Sequence, residues 1–124
     1  MNKNEFEKML DAMAESWTNR KYEMVAAHFA EQLFYSDSIN YTFYNKTDLL
    51  NFFKNDGGYE QLCLFHNAVF DEKKQEGAAE YTYKGTFCYH GTVWIKIQDE
   101  KIVVWREYQQ ITVKSWDDFW GKSK

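Results

Sequence analysis

After the turn-forming "NDGGYE" the chain changes character and stays changed. "QLCLFHNAVFDE", "GAAEYTYKGTFCYHG", "TVWIKIQ" and "KIVVWREYQQITV" are long β-rich runs, separated only by "KKQEG", by a break at Gly91 and by "DEK". A strand sends successive side chains to opposite faces, so a run alternating with period two must lay one face on a core. The alternation is clearest in "AEYTYKGTFCY", where Ala79, Tyr81, Tyr83, Phe87 and Tyr89 share a face, and Val93, Ile95 and Ile97 continue an apolar one. Gly85 and Gly91 are expected as kinks or bulges. Runs of this kind need a second layer to pack against, and only the first half of the chain can supply it.

That half reads as helix. Residues 4–19 carry Phe6, Met9, Leu10, Met13 and Trp17 at helical spacing, with Asn4 and Glu7 as a capping pair. "RKYEMVAAHFAEQ" predicts a second helix with Tyr22, Val25, Ala26 and Phe29 on one face and His28 at its boundary. "KTDLLNFFKN" predicts a third, capped by Thr47, with Leu49, Leu50 and Phe53 turned inward; "FYSDS" and "INYTFY" before it read as two short extended pieces. Helices followed by antiparallel strands predict an α+β fold: N-terminal helices packed on one side of a strongly bent antiparallel sheet, one domain over residues 1–124.

Aromatic residues make up 19% of the 124, with five Trp, nine Tyr and ten Phe. Each large ring buries roughly 150–250 Å², so there is material for a core and for an aromatic-walled cavity besides. The net charge of −4 and the lack of a basic stripe exclude a nucleic-acid backbone as partner. No apolar run approaches the ~18 residues of a membrane span. "MNKNEFEKML" is charged from its start and reads as no export signal, and Cys63 and Cys88 have no metal spacing, so reduced thiols in the cytoplasm are expected. There is no His-x-His, no His-Glu-x-x-His and no close carboxylate cluster, so neither metal nor cofactor is expected.

The candidate chemistry is carried by two carboxylates. Asp37 sits inside "FYSDSINY", among residues that line cores, where an unpaired carboxylate is costly. It reads either as a group at the rim of a cavity, held by Tyr41 or by a proton shared with Glu107, or as the cap of the following turn. For Glu107, period two from an inward Val103 and Trp105 sends Glu107 and Gln109 inward and Arg106 and Tyr108 out. A buried Glu needs a partner, such as Asp37 or a tyrosine hydroxyl; the alternative is an ion pair at a sheet edge. His66 and His90 enter the cavity if a bulge shifts the register, and are otherwise structural. Tyr35, Tyr41, Tyr81, Tyr83, Tyr89, Trp94 and Trp105 form either the cavity wall or plain core.

In element order, and in "VAAHFAEQLFYSDSI", "LFHNAVFDEKKQEGAAEYTYKG", "YHGTVWIKIQDEKI", "VWREYQ" and "SWDDFWG", the chain resembles the nuclear transport factor 2-like superfamily and, within it, the SnoaL-like branch. One departure is Ser38, where the family usually has proline. The resemblance implies a cystatin-like α+β cone with an apolar cavity at its wide end, in a superfamily of isomerases, cyclases, dehydratases, hydrolases and many members without known chemistry. It puts Asp37 at the position of the base of the ketosteroid isomerases, and Asn67 at a frequent family asparagine. The isomerases' oxyanion donors fall near Met13 and at Val93, neither of which can donate, so steroid-type isomerisation is not expected.

Two functions follow. One is a small-molecule-binding domain with no catalytic activity, whose pocket uses Tyr35, Tyr41, His66, Asn67, Tyr81, Tyr83, His90, Trp105 and Gln109 around a small apolar or aromatic ligand. The other is an enzyme for proton transfer, dehydration or cyclisation on an apolar cyclic or polyketide-like substrate, with Asp37 as base and Glu107 as its partner. The outer sheet face, with His90, Thr92, Trp94, Val104, Arg106 and Tyr108, resembles an interface, so a homodimer is expected.

Overall fold

The computed structural model describes residues 1–121; residues 122–124, the end of the span expected for the domain, lie outside them. The elements are α1 (Lys3–Thr18), α2 (Tyr22–Ala26), β1 (Phe29–Asp37), β2 (Thr42–Asn45), α3 (Lys46–Lys54), β3 (Leu62–Asp71), β4 (Glu76–Lys84), β5 (Cys88–Gln98), β6 (Lys101–Ile111) and α4 (Trp116–Trp120). Six strands form one curved, unclosed sheet in the order β2-β1-β6-β5-β4-β3, with helices packed on it. The fold is α+β. The sheet is mixed rather than wholly antiparallel, because β1 runs parallel to β6. No helix among the described residues is long and apolar enough to cross a membrane.

The helices start and stop at other residues than the spacing predicts. α1 is capped by Asn2 with Glu5, not by Asn4 with Glu7: the Glu5 amide donates to Asn2 Oδ1 and the Asn2 amide to Glu5 Oε1, each at 2.8 Å. Both pairs have the same spacing, and the earlier one fills the helix back to Lys3. α3 is capped by Asn45, whose Oδ1 accepts from the Asp48 amide, rather than by Thr47. The second helix is only Tyr22–Ala26. His28 lies in the turn after it, and Phe29 opens β1, where the Ile102 amide binds the His28 carbonyl. Phe29 still reaches the core, from a strand instead of a helix, so a pattern that fits helical spacing was satisfied by a different backbone.

The break in the second long run also moves. β4 and β5 are a hairpin turning at Gly85–Phe87, while Gly91 lies inside β5. Phe87 is therefore at the turn and 57% exposed, not on the inner face. β5 and β6 join through Asp99 and Glu100, both at positive φ, the twist that a two-residue hairpin needs.

Bulges in β6 and β3 help set which side chains enter the concave face. Ile97 pairs with Ile102 but Lys96 with Val104, so Val103 is the extra residue. Ile102, not Val103, is the inward residue, and the strand then resumes with Trp105, Glu107 and Gln109 inward and Arg106 and Tyr108 outward. In β3, Phe65 pairs with Tyr81 and Ala68 with Ala79, which makes His66 and Asn67 the bulged pair. The core lies between the inner face and the helices, around Phe6, Leu10, Met13, Val25, Phe29, Leu49, Val93, Ile95, Ile102 and Trp105.

Candidate functional site

Where the core ends, the inner face opens into a cavity of about 270 Å³. Its sheet side is built by Tyr35, Asp37, Tyr81, Tyr83, Tyr89, Trp105, Glu107 and Gln109, and its helix side by Trp17, Tyr22, Phe52 and Phe53. Strand pairing brings the two acids together: Tyr35 is the register partner of Trp105, and Asp37 of Glu107, on parallel β1 and β6. Both side chains therefore leave the same face of adjacent strands.

Glu107 is held by two donors on one oxygen. Its Oε1 accepts from the Tyr35 hydroxyl at 2.8 Å and from the Trp105 indole Nε1 at 2.7 Å. Among the described residues every side-chain polar atom sealed from solvent has a partner. Oε2 has none, so it is open to the cavity. Burial raises the Glu107 carboxyl; the Trp105 and Tyr35 donors oppose this, and the charge of Asp37 adds to it.

Asp37 combines the two alternatives that the sequence left open. Its Oδ1 accepts the backbone amides of Ile39, Asn40 and Tyr41 at 2.8, 2.6 and 3.1 Å, and the Asp37 amide donates to the Tyr41 carbonyl. It caps the turn into β2. Yet the same residue lines the cavity, and its Oδ2 is engaged by no group among the described residues. The groups that hold it are backbone amides, where a Tyr41 hydroxyl or a proton shared with Glu107 was expected. Tyr41 is on the wall through its ring, tilted 44° against Phe52 with the centroids 4.6 Å apart.

Around the acids the phenols are engaged with wall acceptors. Tyr81 donates to Gln109 Oε1 and Tyr83 to Gln61 Oε1, each at 2.7 Å. Burial, then the nearby Glu107, raises the Tyr35 and Tyr81 hydroxyls, which keeps them protonated donors. Gly91 makes this arrangement possible: a Cβ there would sit 2.7 Å from the Tyr81 ring and hydroxyl and 2.7 Å from the Tyr108 carbonyl. At the opposite pole Tyr22 donates to Asp56, which also binds Arg20 at 2.6 Å, and Gln61 reaches the Tyr22 hydroxyl and the Trp17 carbonyl. Burial and Asp56 push the Tyr22 hydroxyl up to about 12.

Three expected ligand contacts are on the other side of the sheet. The β3 bulge exists, but it turns both of its side chains outward: His66 Nε2 meets the Thr82 hydroxyl at 2.7 Å and Asn67 donates to Glu80 at 3.1 Å. Asn67 thus ties neighbouring strands. His90 follows the even-numbered outward face of β5, binding Thr82 through Nδ1 and the Lys114 carbonyl through Nε2, under Trp116 and Phe119 of α4. Being only 6% exposed, His90 is not part of the free outer face either. Trp94 belongs to that face, 40% exposed, and not to the cavity wall. The helix-side wall was not expected, although Trp17, Tyr22 and Phe53 lie on apolar helix faces, and Asp56 and Gln61 come from a loop that carries no periodic signal. No cluster of His, Cys, Asp and Glu among the described residues could hold a metal.

A bent sheet wrapped on helices, with a cavity between them, defines the nuclear transport factor 2-like fold, and solved structures show the likeness directly. The chain superimposes on a protein of unknown function with that fold from Cytophaga hutchinsonii (TM-score 0.70, 6% identity, covering 82% of this chain and 87% of that one). It also matches an LEH-like epoxide hydrolase from M. tuberculosis (TM-score 0.70, 14% identity, 83% and 80% covered). A third match is a Xanthomonas campestris protein to which polyketide cyclase activity is ascribed (TM-score 0.71, 11% identity, 94% and 95% covered). The chain has the nuclear transport factor 2-like fold. No family model and no curated protein matches its sequence.

Proposed function

We propose that this chain is a small-molecule-binding domain whose ligand lies in the aromatic cavity against Asp37 and Glu107. The observation that carries the reading is the pairing of these two acids, each with one oxygen engaged by the protein and one open to the same cavity. Carboxylates brought side by side in a half-dry space are unfavourable unless something uses them. Fold neighbours ascribed epoxide hydrolysis and polyketide cyclisation support a cavity for apolar molecules of modest size. A fragment library followed by the indole resonances tests it. Ligands of the cavity shift Trp17 and Trp105; shifts confined to Trp94 on the outer face would refute it.

The raised Glu107 favours a second reading, an enzyme for proton transfer, dehydration or cyclisation on an apolar cyclic or polyketide-like substrate. Burial raises the Glu107 carboxyl, which suits a group that holds a proton for transfer, and Asp37 is its strand partner. An isomerase-type electrophilic clamp has no support, since Met13 and Val93 are sealed in the core. Deuterium exchange into carbonyl-bearing cavity ligands, lost in Asp37→Asn, would support catalysis; no exchange in the wild type would refute it.

We also propose a homodimer through the outer sheet face, where Trp94 and Tyr108, 56% exposed, flank Arg106. A monomer mass by light scattering at high micromolar concentration would count against it. The free thiols of Cys63 and Cys88 support the cytoplasm as its compartment.

A further inference from the structure

The polar groups of the cavity are strongly one-sided in charge. Its carboxyl groups are Asp37, Glu107 and Asp56, and among the described residues no Lys, Arg or His lines it. Arg20 pairs with Asp56 and donates to the Tyr59 carbonyl, so Asp56 is balanced within the wall. Asp37 and Glu107 have no cationic partner among the described residues.

The hydrogen-bond inventory leans the same way. The hydroxyls of Tyr22, Tyr35, Tyr81 and Tyr83 donate to Asp56, Glu107, Gln109 and Gln61, so these phenols are not available to solvate an incoming anion. Beside the acids two acceptors stay open, Asp37 Oδ2 and Glu107 Oε2, while the donors left on the wall, such as Gln109 Nε2 and the Tyr89 hydroxyl, carry no charge. An occupant that supplies only acceptors, such as a carboxylate or phosphate, would meet like charge in a space with little water. An occupant that supplies donors and positive charge would meet two open oxygens. The rest of the wall is aromatic, and ring faces attract cations through their quadrupole, most strongly where water is excluded.

We propose that the cavity selects organic cations, its occupant being an apolar molecule with an ammonium group seated between Asp37 Oδ2 and Glu107 Oε2. This deepens the binding reading above and rests on it. The remote Asp56 pole does not compete for the charge, because Arg20 and Tyr22 already satisfy it. Burial raises the Glu107 carboxyl in the empty cavity, and an ammonium seated beside it would oppose that rise.

The test is a matched set of probes of one size: 2-phenylethylammonium, 2-phenylethanol and phenylacetate, each titrated into the full chain at neutral pH. The Trp17 and Trp105 indole resonances report occupancy. The ammonium is expected to bind at least tenfold more tightly than the alcohol, with phenylacetate weakest. If the alcohol or phenylacetate binds as tightly as the ammonium, the binding reading stands and cation selection is overturned. If none of the three shifts these resonances at millimolar concentration, the binding reading falls and the cation proposal with it.

Discussion

On the outer face of the sheet, Thr82 joins His66 to His90, and His90 reaches on to the Lys114 carbonyl. On the inner face, Tyr35 and Trp105 hold Glu107 beside Asp37. Both are polar groups folded into an aromatic setting, and both are made by strand alternation. Their hydrogen bonds are completed differently. A carbonyl only accepts, so with a neutral ring His90 carries its proton on Nε2, takes the Thr82 hydroxyl proton at Nδ1, and leaves Thr82 to accept from His66. Each member has its partner, and Trp116 lies flat over His66 at 3.8 Å. The acids, by contrast, each keep one oxygen open to a cavity. A buried polar group completed by the protein is structure; one left half-completed on a cavity is a site for something else to complete.

That contrast can be broken, and the sharpest blow is on the closed side. Thr82→Val keeps shape and removes the bridging hydroxyl, leaving nitrogens of two histidines without it. Urea unfolding should show a loss of about 2–3 kcal/mol, with binding in the cavity unchanged. An unaltered midpoint would mean that the histidine cluster is not closed at all. Next comes Gly91→Ala, whose methyl meets the Tyr81 phenol and the Tyr108 carbonyl. Denaturation should report a loss of roughly 1–3 kcal/mol, and the carbonyl contact makes relief by side-chain rotation alone insufficient.

On the open side the effects turn on pH. The Glu107 carboxyl is raised above its ordinary 4.5, so the folded chain holds that proton more tightly than the unfolded chain does. The stabilisation is complete below about 4.5 and is lost as pH climbs through the folded value. Glu107→Gln keeps an oxygen for Tyr35 and Trp105 and cannot ionise, so its stability should stay flatter over that range. The gap is at most about 1.4 kcal/mol per unit of elevation, reduced because Oε2 is open to cavity water. Melting temperatures of the two proteins at pH 4, 6 and 8 measure it, and parallel curves would contradict the assigned environment. The smallest change is expected from Asp37→Asn, whose remaining oxygen still caps the turn, with stability within about 0.5 kcal/mol. Asp37→Ala, which loses the cap, should lose about 1 kcal/mol by the same denaturation.

What the residues revealed in advance follows where period two ran undisturbed. Trp105, Glu107 and Gln109 faced inward as their spacing required, and Val93, Ile95 and Ile97 made the core. The same rule sends His90 outward with Thr92, and pairing that runs unbroken through Gly91 leaves no bulge to turn it into the cavity. Bulges were the limit: Val103 looks as apolar as Ile102, and only the pairing with Ile97 and Lys96 shows which is displaced. His66 and Asn67 were undecidable for the same reason. The parallel docking of β1 on β6, which makes Asp37 and Glu107 neighbours, left no local mark, since neither strand carries the register of the other.

That docking also dates the site within folding. β3 to β6 form a meander whose neighbours are joined by short turns, whereas Tyr35 and Glu107 are 72 residues apart along the chain. Contacts that close long loops form late, because the chain gives up the most freedom to make them before any contact repays it. The helices and hairpins can thus be in place while the acid pair does not yet exist. Stopped-flow refolding should show far-UV ellipticity recovering ahead of the fluorescence of Trp105, which stacks on Tyr35 only after β1 arrives. Simultaneous recovery would place β1 among the early elements. A nascent chain is, on this ordering, folded in outline before it can hold a guest.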